Sequence, residues 1–194
     1  ARSSAQSPSR SPSKSVKPTD PMPGHGQAGH ERHIICMKWG KKYGPEYVNR
    51  LYAMVRRHLS GDFRFVCLTD DASGIRSEVE CKPIPPLDLP PGIPERGWTK
   101  LVTFSADLYG LRGTALFLDV DVVVTGSLDD FFTQPGEFLI IHDWKRPWRI
   151  TGNSSVYRFT LGAHADILQQ FRENQAKAKA LLAKVTQRGS SSRP

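Results

Sequence analysis

The segment Thr114–Val124, Thr-Ala-Leu-Phe-Leu-Asp-Val-Asp-Val-Val-Val, constrains this chain more than any other. Thr114–Leu118 is an apolar run of strand length, the pattern of a strand buried on both faces, and Asp119 and Asp121 interrupt it before the apolar character resumes. In extended backbone, residues i and i+2 point the same way, so the two carboxylates are expected side by side with Val120 facing the other side. Acids placed within such a stretch need partners. A pair of hard oxygen donors suits Mg²⁺ or Mn²⁺, which is commonly held by one or two carboxylates together with substrate phosphates. The bland alternative is a pair of solvated acids at a turn.

The elements around this segment alternate. Ile34–Met37 is a short buried strand that Lys38-Trp39-Gly40 ends, and after Gly44-Pro45 the residues Val48, Leu51, Tyr52, Val55 and Leu59 recur at helical spacing. Phe63–Leu68 is a second strand closed by Thr69-Asp70-Asp71, which completes a βαβ unit. A weaker strand near Val79–Ile84 leads into a Pro-rich loop, and the spacing of Leu101, Ser105, Leu108 and Leu111 predicts a helix over 98–111. After the acid pair, Ser127 is expected to cap a short helix, Glu137–Ile141 and Ser154–Phe159 read as strands, and Asp166–Leu182 as a helix. This order predicts a single α/β domain, a mostly parallel sheet with helices on both faces. Ligands of such sheets bind outside the carboxyl ends of the strands, which here carry Lys38, Asp70, Asp119 and Asp143.

The ends differ from the middle. Residues 1–33 are rich in Ser, Pro and Gly with few large apolar side chains, the composition of a disordered tail, and 172–194 reads as a basic helical segment with a disordered end. The chain carries a net charge of +8, but residues 34–171 hold sixteen basic and sixteen acidic side chains, so the excess lies in the two ends, +3 and +5. A neutral domain with basic ends argues against specific nucleic-acid recognition and leaves the ends available for peripheral contact with polyanions or the inner face of a membrane. No apolar run reaches the roughly 18 residues of a membrane span, so a soluble, cytoplasmic protein is expected. Cys36, Cys67 and Cys81 form no CxxC or Cys/His cluster, which fits a reducing compartment and argues against a zinc site.

Residues 98–132, from Trp-Thr-Lys-Leu-Val-Thr-Phe through Leu-Phe-Leu-Asp-Val-Asp-Val-Val-Val-Thr-Gly-Ser-Leu-Asp-Asp-Phe-Phe, resemble the DxD segment of GT-A-fold glycosyltransferases, close to the family 8 pattern. The run Met37–Tyr52 also resembles the first strand and helix of bacterial members associated with surface polysaccharides, and the likeness extends over about residues 34–171. It implies a nucleotide-diphosphate sugar donor, usually with UDP, held by Mn²⁺ or Mg²⁺ on Asp119 and Asp121 with Val120 between them, and a saccharide or lipid-linked acceptor. It further implies that Lys38 and Trp39 lie near the nucleoside, that Thr69 and Asp70 flank it, and that Lys100 approaches the donor phosphates. Asn153 and Ser154, with Asp143, would face the sugar or acceptor side.

The resemblance has a gap. Family members continue with an Asp-Gln-type motif and, in many, a histidine that completes the metal site, whereas this chain passes from Arg172 into helix-forming Ala, Lys and Leu. His142 and His164 are the candidates for the missing ligand. Two functions follow: an active transferase, or a truncated, non-catalytic domain that binds a nucleotide diphosphate. A different class, the haloacid-dehalogenase-type phosphatases, is similar in its hydrophobic strand followed by DxDxV, with Asp119 as nucleophile and Asp121 as acid/base. That family needs a second acidic pair downstream, and the 73 residues after Asp121 supply none.

Overall fold

The computed structural model describes residues 31–88, 97–145, 147–148 and 151–190, with the side chains of the final helix described through residue 177. Among these residues the elements follow in chain order: β1 (Arg32–Lys38), α1 (Pro45–His58), β2 (Arg64–Thr69), β3 (Glu80–Lys82), a 3₁₀ helix (Trp98–Phe104), β4 (Thr114–Leu118), α2 (Asp129–Thr133), β5 (Phe138–His142), β6 (Gly152–Thr160) and α3 (Ala165–Ser190). The six strands form one sheet in the order β3-β2-β1-β4-β6-β5. β3, β2, β1 and β4 run parallel, β6 runs antiparallel to β4, and β5 runs antiparallel to β6. The carboxyl ends of β1, β2, β4 and β5 and the amino end of β6 therefore share one edge.

The sheet is buried on both faces because its central strands are apolar without alternation. Val48, Leu51 and Val55 of α1 pack against Ile34, Cys36, Phe65, Cys67, Leu116 and Leu118 on one side. On the other, Val102 and Phe104 of the 3₁₀ helix and Leu168 of α3 cover Ile35, Met37, Val66, Phe117, Tyr157 and Phe159. The result is an α/β domain with a mostly parallel sheet between helices. Cys36, Cys67 and Cys81 are free thiols and stand in register across β1, β2 and β3. Burial pushes the Cys36 and Cys81 thiols up, away from the thiolate form.

The structure departs from the sequence expectations in several places. β1 begins at Arg32, two residues before the apolar run, because polar partners hold its start: Arg32 donates to the Ser60 and Asp62 carbonyls, and fully buried His33 bonds the Arg112 carbonyl at 2.7 Å. Residues 1–30 of the expected tail lie outside the described residues, as do 191–194. The helix expected over 98–111 is a 3₁₀ helix that stops at Phe104. Both the amide and the hydroxyl of Ser105 bond back to the Val102 carbonyl, and Asp107 accepts from the Gly110 amide, so side chains offer the backbone an alternative to helix. Leu108 and Leu111 still reach the core. α2 takes Leu128 as its cap residue, although Ser127 Oγ accepts from the Asp129 amide at 3.1 Å. α3 extends past Leu182 to Ser190.

Candidate functional site

β4 ends at Leu118, and the two acids lie just past it. Asp119 keeps one sheet bond, its amide donating to the Ser155 carbonyl of β6 at 2.9 Å, while its own carbonyl accepts from Val122 at 3.2 Å. The chain therefore turns over Asp119–Val122, and neither the acid pair nor Val122–Val124 is extended strand. The premise of an i, i+2 alternation in a strand is corrected by this turn. Val120 is buried against the α1 side of the core, which anchors the turn, and both acids line the same cleft of about 350 Å³.

Each carboxylate has a partner drawn from far along the chain. Lys100 Nζ lies 2.7 Å from Asp119 Oδ1 and also donates to the Ser154 carbonyl at 3.1 Å. With side chains 14% and 23% exposed, the pair is shielded enough for the charges to matter to each other. Tyr43, in the loop after β1, donates its hydroxyl to Asp121 Oδ2 at 2.5 Å. Lys42 stands 4.6 Å above the Tyr43 ring, and its ammonium is held above the ordinary lysine range chiefly by a hydrogen bond with Tyr43. Met37, Trp39 and Gly97 complete the wall. Gly97 opens the 3₁₀ helix at φ 109°, a left-handed conformation that glycine adopts without strain, and its carbonyl accepts from the Lys100 amide.

Of the residues expected from the sequence, Trp39, Lys100, Asp119, Val120 and Asp121 line this cleft, and the Ser154 carbonyl accepts from Lys100 behind them. Trp39 also lines a second cleft with Asp70, Thr99 and the Ile84–Asp88 segment, so the two clefts share one indole wall. Asp70 accepts from the Gly40 amide at 2.8 Å, which ties the ends of β1 and β2 together. Lys38 and Thr69 sit in register at those ends but turn away: Lys38 Nζ donates to the Asp71 carbonyl, and Thr69 Oγ1 closes a turn with Asp71. Asp143 closes a local turn by accepting from the Lys145 amide, and Asn153, at the start of β6, accepts from the Ser155 amide.

Neither histidine completes a metal site. His164 bonds the Glu137 carbonyl at the amino end of β5, the sheet edge opposite the acid pair, and stacks edge-on to Phe104 and Phe138. His142 lies on β5 opposite Gly152, with β6 between it and β4. Among the described residues no group of three or more His, Cys, Asp or Glu side chains forms a metal cage. The donor set is two carboxylates on an open cleft, which fits a hard divalent ion that takes its remaining ligands from phosphate and water. Sequence reasoning gave no role to Met37, Lys42, Tyr43 or Gly97, and Lys41-Lys42-Tyr43 at a strand end was the available signal.

No family model matches this chain, and no curated protein sequence does. Among solved structures, the apo form of the glycosyltransferase GlyE from Streptococcus pneumoniae TIGR4 is similar, with a TM-score of 0.53 and 18% identity over 76% of this chain and 39% of that one. No described helix is long and apolar enough to cross a membrane. The chain thus spans well under half the length of that neighbour, and what it shares with it is the fold of a glycosyltransferase.

Proposed function

We propose that this domain binds a nucleotide-diphosphate sugar, with UDP as the nucleotide, and serves glycosyl transfer to a saccharide or lipid-linked acceptor in the synthesis of a surface polysaccharide. The observation that carries this reading is the meeting of Asp119, Asp121, Lys100 and Tyr43 on one cleft at the carboxyl edge of a glycosyltransferase-type sheet. Asp119 and Asp121 would hold Mn²⁺ or Mg²⁺, which when bound neutralises the diphosphate and supports its departure. Lys100 adds a cation that reaches the phosphates by leaving Asp119. Tyr43 fixes the rotamer of Asp121. The Trp39 indole, shared by both clefts, offers the nucleoside a flat face.

The haloacid-dehalogenase alternative draws on no feature beyond the DxD itself. Calorimetric titration of UDP with and without Mn²⁺ tests the binding half, and an assay of UDP-sugar transfer or hydrolysis tests the chemical half. Weak binding that requires the metal is expected, and Asp121→Asn should abolish it by removing an anionic ligand at constant size. Unchanged binding in that variant would refute the metal-site assignment. Binding without turnover would make the chain a nucleotide-diphosphate-binding domain.

A further inference from the structure

A second groove, of about 390 Å³, runs from the acid turn along the outer face of α1. Val120 and Asp121 line both this groove and the cleft described above, so the two meet at the turn. Arg50 and Arg57 of α1 stand on its rim, seven residues apart and hence on one face of the helix, about 10.5 Å along the axis. Between and beside them the lining is largely apolar, with Ala53 and Met54 from α1 and Val122 and Val123 from the segment after the turn. Val123 is 75% exposed, an apolar side chain left bare beside two guanidiniums.

The two arginines differ from their neighbours. Arg32, Arg64, Arg76, Arg112, Arg158 and Arg172 each donate to a carbonyl or carboxylate, and Arg56 lies over the Phe63 ring. Arg50 and Arg57 make no hydrogen bond, ion pair or ring contact among the described residues. The region they belong to has no net charge, so their arrangement is local rather than the result of a basic surface. A guanidinium fork pairs bidentately with carboxylate or phosphate, and an apolar floor suits the ring faces of a sugar.

We infer that the Arg50–Arg57 groove is a subsite for an anionic saccharide acceptor, its carboxylates or phosphates paired with the two arginines and its end delivered to the Asp121 turn. This rests on the glycosyl-transfer reading, because only that reading makes the neighbouring cleft a sugar donor site. Two cations set two helical turns apart suit a chain bearing more than one anion better than a single small anion.

The test is a titration of the whole chain with a uronic-acid hexasaccharide, a phosphate-bearing saccharide of the same length, and a neutral hexasaccharide. Each is run on the unaltered protein and on Arg50→Gln/Arg57→Gln, with UDP and Mn²⁺ titrated in parallel. Both arginines are solvent-facing, so the variant should fold, and an unchanged melting curve checks this. At least one anionic saccharide should bind, the neutral one should not, and the double variant should weaken binding tenfold or more while leaving UDP–Mn²⁺ affinity unchanged. Equal binding by the double variant would assign the anion to the basic chain ends and overturn the proposal, as would equal binding of the neutral saccharide. Arginine-dependent binding without any UDP–Mn²⁺ binding would uphold the groove as an anionic-saccharide site and sink both its acceptor role and the transferase reading.

Discussion

An ammonium 2.7 Å from one carboxylate of a two-carboxylate turn competes with any cation the turn is to hold. Lys100→Gln should therefore bind Mn²⁺ alone several-fold more tightly, since Asp119 is freed, yet bind UDP–Mn²⁺ about tenfold more weakly, since the phosphates lose a cation worth about 1.4 kcal/mol. Manganese electron paramagnetic resonance and calorimetry separate the two effects, and a parallel fall in both affinities would show Lys100 to be a scaffold for the turn. The acid pair was visible in the sequence because acids inside an apolar run are anomalous. Tyr43 was not, since 78 residues separate it from Asp121 and only the pairing of β1 with β4 closes that gap. His33 shows the same limit from the other side. Polar by type and assigned to the tail, it is fully buried, and its Nδ1 has no partner among the described residues. Desolvation, with Arg64 as a further cause, lowers its pKa against the pull of the Arg112 carbonyl and of Glu31 and Glu80. The unfolded chain then binds the extra proton, so stability is lost as pH falls below about 6.5 toward the folded value. Urea unfolding between pH 7 and 5 should show this loss, and His33→Gln should flatten it.

At the scale of elements, strands were easier to locate than the segment that joins them to the site. β1, β2 and β4 announce themselves as apolar runs, but the helix expected over 98–111 followed periodicity alone, and Ser105 and Asp107 divert its backbone after two turns of 3₁₀ helix. That shortening matters for function. It leaves Lys100 on a tight segment beside β4, with Thr103 bonded to the buried Tyr157 hydroxyl at 3.0 Å beneath it. The segment is tied at its far end by Gly113, which adopts φ 95° and where an added Cβ would lie 2.4 Å from the Glu31 carbonyl oxygen. The Glu31 carbonyl also accepts from Thr114, and Gly113 accepts from Leu161, so the backbone has little room to relax. Gly113→Ala should cost about 2 kcal/mol or more, combining left-handed strain with a backbone clash. Gly126, with open space at its Cβ and no positive φ, is the control, and Gly126→Ala should be within about 0.5 kcal/mol of the parent. Equal effects in denaturant melts would mean that the β4 junction is not the constraint described.

On the scale of the whole molecule, alternation of elements identified an α/β sheet. It did not reveal that the antiparallel β6 brings Ser154 and Ser155 against the acid turn, because strand direction is decided by packing and not by local pattern. The site is consequently assembled from four regions: the loop after β1, the 3₁₀ helix, the turn after β4 and the start of β6. A ligand that bridges the turn, Lys100 and Trp39 binds only the folded state and should stabilise the domain as a unit. At a UDP–Mn²⁺ concentration of 100 times Kd the gain is about 2.7 kcal/mol. For a chain of this size each kcal/mol moves Tm by about 2–4 °C, so a rise of about 5–10 °C is expected in a thermal melt. Chelating the metal should return Tm to that of the free protein, because UDP alone then faces two carboxylates of which Lys100 offsets only one charge. Asp121→Asn should behave in the same way with metal present. A rise that survives both chelation and Asp121→Asn would place the nucleotide away from the acid turn, at the Trp39–Asp70 cleft alone, and would remove the diphosphate from the turn.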